Sequence, residues 1–92
     1  MSTALQLKDI TDAKARISDI VLDSPIFQSS LLNNWLGHTI YFKAEGMQKI
    51  GAFKARGASN TLSWLIENNE TPKRIIANSS GNHAQAVAWA CL

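Results

Sequence analysis

The sequence predicts an α/β fold: an incomplete sheet with flanking helices. Three observations carry that expectation. Stretches with apolar residues at steps of three and four alternate with short β-branched or aromatic runs, giving the order helix, strand, helix, strand, helix. A serine- and glycine-containing turn lies between the second strand and the last helix, where open α/β sheets keep their ligand crevice. Only two strands are foreseen, whereas a parallel sheet needs helices on both faces, so the chain reads as the opening portion of a larger α/β protein.

Leu7, Ile10, Ala13, Ile17, Ile20 and Val21 recur at the period of a half-buried helix. Asp9 and Asp12 lie near its positive start and Lys14 and Arg16 follow later, as the helix dipole favours. Ser24-Pro25 ends it, because the residue before proline is steered away from the α region. Ile26-Phe27 is a short extended piece. Ser29 or Ser30 caps a brief helix through Leu31, Leu32, Trp35 and Leu36, closed by Gly37.

Residues 39–45 are β-branched and aromatic and predict a strand. A glycine-bounded loop covers 46–51. A longer helix follows over about 53–68, with Phe53, Ala58, Leu62, Leu65 and Ile66 along one face. The run 68–72 breaks it, 74–78 predicts a short strand, and Ser79-Ser80-Gly81-Asn82 turns into an alanine-rich helix that reaches the last residue. That run shows no C-cap, polar tail or closing strand, the expectation for a truncated chain.

Composition narrows the function classes. Ninety-two residues allow one small domain or part of a larger one, and 46% apolar with 17% charged residues is globular. The net charge of +2 is scattered, with no Lys/Arg run to suggest nucleic acid. Cys91 alone cannot staple the fold, no Cys/His spacing suits zinc, and no metal site is expected. Neither a basic and apolar leader nor a membrane-length apolar run is visible, so a soluble cytoplasmic protein is expected.

Two stretches carry chemistry. In Gly51-Ala52-Phe53-Lys54-Ala55-Arg56-Gly57-Ala58, one lysine stands where a loop opens into a helix. The helix start disfavours an ammonium, Arg56 adds a second cation, and both favour the nucleophilic amine that can bond a carbonyl. Taken alone, a lysine in a first turn is more often a solvated side chain. In Ser79-Ser80-Gly81-Asn82-His83, hydroxyls and free helix N–H groups together suit a carboxylate or phosphate, and an ordinary capped turn is the competing reading.

Together with Lys43-Ala44-Glu45-Gly46-Met47-Gln48, these stretches resemble the N-terminal part of the threonine/serine dehydratase and serine racemase family. These are fold-type II pyridoxal-phosphate enzymes related to the tryptophan synthase β subunit. The resemblance implies that Lys54 holds pyridoxal 5'-phosphate and then moves the substrate Cα proton. It implies Phe53 beside the cofactor ring, with core packing as its other role, and Asn82 on the ring's phenolic oxygen. Ser79, Ser80, Asn82 and His83 would receive the amino-acid substrate. Ser80 would also be the opposite proton-transfer residue in a racemase, whereas many dehydratases have alanine there. Arg56 and Gln48 are assigned support of the loop and helix.

The implied function is an ammonia-lyase acting on threonine or serine, with a serine racemase-like enzyme as the alternative. Residues 1–72 would belong to the large cofactor-binding domain and 73–92 would start the small domain. Full-length relatives would be homo-oligomers. Ala52 departs mildly from the serine many members carry. Length departs more: the family's phosphate-binding glycine loop, the residue facing the pyridine nitrogen and the usual divalent-cation site lie in a part not present here. A catalytically silent fragment is therefore expected. From another class, a small anion- or nucleotide-binding module on the 79–82 turn lacks the Gly-x-Gly-x-x-Gly and Walker patterns. A Ser/His hydrolase is weaker still, since His38 and His83 have no placed nucleophile or orienting acid.

Overall fold

The computed structural model describes residues 4–92. Helix α1 covers Leu7–Ile17, strand β1 Ile26–Phe27, helix α2 Ser30–Leu36 and strand β2 Phe42–Lys43. Two 3₁₀ turns, Glu45–Met47 and Lys49–Gly51, lead into helix α3 over Lys54–Glu67, and helix α4 covers Asn82–Ala90. The expected incomplete sheet with flanking helices is the architecture that forms.

Local chemistry sets most boundaries. At the start of α1 the Gln6 N–H donates to the Asp9 carboxylate at 2.8 Å, satisfying one orphan donor. This helix closes at Ile17, earlier than the proline signal suggested, through N–H groups of Ile20 and Val21 bonded to the Ile17 carbonyl. Ser29 caps α2 by accepting from the Leu32 N–H at 3.2 Å. Gly37 ends it at φ 70°, donating to the Asn33 carbonyl, in the left-handed conformation that glycine adopts without a Cβ penalty.

The sheet is a two-stranded antiparallel ribbon pairing Ile26 with Lys43 and Phe27 with Phe42. Of the expected strand at 39–45, only the centre is laddered. The expected strand at 74–78 does not form. No strand lies alongside it among the described residues, and Ile76 is 95% exposed. Strands are made by cross-strand partners more than by propensity, so apolar β-branched residues alone leave this segment without a ladder.

Packing centres on α3, which α1 and α4 both contact. Arg16 bridges α1 to α3, donating from Nε to Glu67 at 2.9 Å and from Nη1 to Asn60 at 2.8 Å. Among the described residues the buried apolar side chains are small, Ala52, Ala55 and Ala86, with Ile17 the one large exception. Two expected faces differ from this. Leu7 and Ile10 of α1 are exposed, and on α3 the buried positions are Ala55 and Ser59 while Phe53 and Ile66 lie open. The radius of gyration is 16.4 Å, against about 12 Å for a compact domain of this length. The accessible surface is 7342 Å², roughly 2,000 Å² above that of a compact protein of this mass. The chain thus builds a scaffold around α3 with much apolar surface still open.

Candidate active site

Helix α3 begins at Lys54, immediately after Phe53, and no side chain caps its N-terminus. The Lys54 Nζ stands 5.5 Å from the centroid of the Phe53 ring, a cation–π contact worth about 0.5–1 kcal/mol at an exposed site. Phe53 is therefore the lysine's neighbour at the surface, not a core residue. Among the described residues, Lys54 has no hydrogen-bond or ion-pair partner.

The first turn of α3 is fixed by polar contacts from outside the helix. Arg56 donates from Nε to Glu45 Oε2 at 2.8 Å and from Nη2 to Glu45 Oε1 at 2.9 Å. Ser24, buried, donates its hydroxyl to Glu45 Oε1 and accepts from Arg56 Nη2 at 3.2 Å. Its carbonyl accepts from Lys43 Nζ at 3.2 Å. The hydrogen bonds from Arg56 hold the Glu45 carboxyl down at about 2, with Ser24 and the nearby cations helping and desolvation opposing. The same bonds push the Arg56 guanidinium further up. This corrects the expected role of Arg56 as a second cation acting on Lys54. Its charge is matched by Glu45, and two residues along a helix turn it roughly 200° away from Lys54.

Gln48 makes the second attachment. Its buried side-chain amide accepts from the Leu22 N–H at 2.8 Å and the Lys49 N–H at 2.9 Å, and donates to the Leu22 carbonyl at 2.7 Å. Just after it, Ile50 lies at φ 59°, ψ 6°, and Gly51 at φ 72°. A β-branched residue in the left-handed region is strained by roughly 1–3 kcal/mol and persists only where its surroundings over-determine it. The strain sits four residues before Lys54.

In front of α3 is a cleft of about 560 Å³ between α3, α4 and the 72–75 segment. Its wall includes Phe53, Lys54 and His83, with Leu62, Leu65 and Val87 supplying apolar surface. The structure thus brings three of the candidate residues to one cavity. Ser79, Ser80 and Asn82 do not line it. They form the turn into α4, where the Gly81 N–H donates to Ser79 Oγ at 3.2 Å. No side chain caps α4, so the capped-turn reading of 79–83 fails and its first N–H groups stay open. Among the described residues, the side chains of Ser80, Asn82 and His83 have no hydrogen-bond partner. The residues present therefore fit a ligand carrying a reactive carbonyl, an aromatic face and anionic groups: a free amine, a neighbouring aromatic ring and an open helix start.

From the sequence, Ser24 is expected only to end the first helix and Glu45 has no site role, although Glu45 lies in the 43–48 stretch. The signal was available only as a carboxylate upstream of an arginine, a pairing that the chain must bend to make.

A family profile described as "Pyridoxal-phosphate dependent enzyme" matches residues 17–92. The L-threo-3-hydroxyaspartate ammonia-lyase of Saccharomyces cerevisiae is 50% identical over 80 residues, covering 87% of this chain and 24% of that protein. The serine racemase of Dictyostelium discoideum is 40% identical over 84 residues, covering 91% of this chain and 26% of its own length. The crystal structure of a threonine deaminase superposes with a TM-score of 0.79 at 44% identity, over 94% of this chain and 30% of that one. The chain spans about a quarter of the length of the curated relatives it matches.

Proposed function

Because the chain belongs to the family of pyridoxal-phosphate dependent enzymes, we propose that it supplies the lysine-bearing part of an amino-acid ammonia-lyase of the threonine/serine dehydratase type. The observation that carries this reading is the placement of Lys54, unpaired and beside Phe53, on the wall of a cleft that also includes His83. The family's cofactor is pyridoxal 5'-phosphate, which when bound supplies an electron sink for charge developing at the substrate Cα.

The chain's own residues do the rest. Lys54 Nζ would hold the cofactor at its carbonyl carbon and, once displaced by the substrate amine, would be the base for the Cα proton. Phe53 lies against the cofactor ring. Asn82 would donate its amide to the ring's phenolic oxygen. Ser79, Ser80 and His83, with the open N–H groups at the start of α4, receive the substrate carboxylate where the helix dipole favours an anion. Loss of the β-hydroxyl as water, followed by hydrolysis of the resulting α-imine by one water, would give a 2-oxo acid and ammonia: 2-oxobutanoate from L-threonine or pyruvate from L-serine.

A serine racemase-like enzyme is the second reading. It is favoured by Ser80, exposed and without a partner, whose hydroxyl can exchange a proton on the face opposite Lys54. The hydroxyaspartate lyase among the relatives adds that substrate to threonine and serine.

In this reading, residues 1–72 belong to the large cofactor-binding domain and 73–92 open the small one, with the cleft bordered by α3 on one side and α4 on the other. The 92 residues are part of a longer cytoplasmic enzyme that assembles as a homo-oligomer, and alone they do not turn over substrate. Among the described residues no helix is long and apolar enough to cross a membrane.

The test is to incubate the full-length protein with pyridoxal phosphate and L-threonine, L-serine or L-threo-3-hydroxyaspartate, following ammonia, 2-oxo acid and product chirality. Ammonia and 2-oxo acid in equal amounts support the lyase. Accumulation of the D-isomer without ammonia favours the racemase. No change in any of the three substrates would overturn both.

A further inference from the structure

Lys54 can act only if the start of α3 is held in one rotation, and helix α3 has no side-chain cap to hold it. What holds it is polar and partly buried, and Arg56 at its centre also borders the cleft. Arg56 makes two bonds to Glu45 and one to Ser24, and Ser24 closes the triangle by donating to Glu45. Both partners come from outside the helix, Ser24 from before β1 and Glu45 from the first 3₁₀ turn. A planar guanidinium bound along one edge by two parallel hydrogen bonds resists rolling, unlike a single point contact. Since Lys54 and Arg56 are roughly 200° apart around the helix axis, fixing the azimuth of Arg56 fixes that of Lys54 on the opposite side. Gln48 fastens the intervening loop to Leu22 and keeps Ile50 in its strained conformation, so the loop has little freedom to let α3 turn.

We propose that Glu45 is a positioning residue for Lys54, acting through Arg56 and Ser24 to fix the rotation of the first turn of α3. The proposal rests on the reading of Lys54 as the cofactor-holding amine, and its test separates the two. The protein is incubated with pyridoxal phosphate and reduced with borohydride. The amine and the aldehyde condense with loss of water, and hydride from borohydride converts the product to a stable secondary amine. Peptide mapping then gives the ratio of pyridoxyl group on Lys54 to that on Lys73, an exposed lysine outside the cluster.

In the unaltered protein the ratio favours Lys54; an even spread across the lysines would overturn the reading of Lys54 itself. Given that preference, Glu45→Gln lowers the ratio about tenfold, the scale on which misplacement of a reacting group acts. Ser24→Ala lowers it less, and Glu45→Asp, which keeps the charge, restores part of it. Glu67→Gln is the control for a purely structural effect. It removes the charge from the Arg16–Glu67 pair at the far end of the same helix and leaves the ratio unchanged. If Glu45→Gln fails to fold, Ser24→Ala and Arg56→Lys carry the test, the latter keeping the charge but losing the fork. A Lys54 preference that survives in these variants, or that falls equally in Glu67→Gln, would overturn the positioning role.

Discussion

Arg56 and Glu45 meet edge to edge, Nε to Oε2 at 2.8 Å and Nη2 to Oε1 at 2.9 Å, with Ser24 bonded to both. This joins the loop that precedes α3 to the helix's own first turn. With side-chain exposures of 32% and 20%, the pair is shielded enough for its charge to matter to folding.

The first prediction concerns acid. Glu45 is held at about 2, below its ordinary 4.5, chiefly by hydrogen bonds from Arg56. A depressed folded value contributes stability that is fully present above about 4.5 and is lost as pH falls towards 2. The contribution is about 2 kcal/mol once solvent screening is allowed for. Urea unfolding of the full-length protein at pH 6 and pH 3 should show this loss, and Glu45→Gln should be less stable at pH 6 and flatter across the interval. An unchanged slope in the variant would mean that other carboxylates govern the acid limb.

The second concerns backbone conformation. Gly37 and Gly51 sit at φ 70° and 72°, while Gly46 does not, and an added Cβ would meet nothing closer than 3.7 Å at any of them. The cost of Gly37→Ala and Gly51→Ala is therefore conformational, about 1 kcal/mol each, and Gly46→Ala is close to neutral. Denaturant midpoints for the three variants check the order. Equal effects would show that the glycines serve something besides their dihedral angles.

These positions also show how legible the chain was. The cap pair of Ser29 and Gly37 could be read directly, because caps and left-handed turns depend on neighbouring residues. The Lys54 stretch was equally visible as a loop opening into a helix. Arg56 was not. Its sequence proximity to Lys54 suggested a shared field, whereas its partner is Glu45, reached by the fold of the loop. Residues 74–78 misled for a related reason: Ile75 and Ile76 have the composition of a strand, but a ladder needs a partner that composition does not supply. The 79–83 turn was ambiguous between a cap and an anion site, and only the open start of α4 distinguishes them.

The third prediction concerns the packing behind the cleft. Ala86 is fully buried on α4, the helix that packs mainly on α3, while Ala88 on the same helix is exposed. Ala86→Leu should destabilise by about 1–3 kcal/mol through overpacking, and Ala88→Leu should have little effect. Thermal unfolding of both variants checks this. If Ala86→Leu is tolerated as well as Ala88→Leu, α4 does not pack on α3 as tightly as its burial shows, and the cleft between them is not a fixed shape.

Lys54 is proposed as the amine that holds pyridoxal phosphate. The most direct test is a peptide map of the full-length protein after incubation with the cofactor and borohydride reduction. One dominant pyridoxyl-modified peptide carrying the group on Lys54 is expected, with loss of that modification in Lys54→Ala. A dominant label on any of Lys8, Lys14, Lys43, Lys49 or Lys73, or no preference among the six lysines, would contradict it.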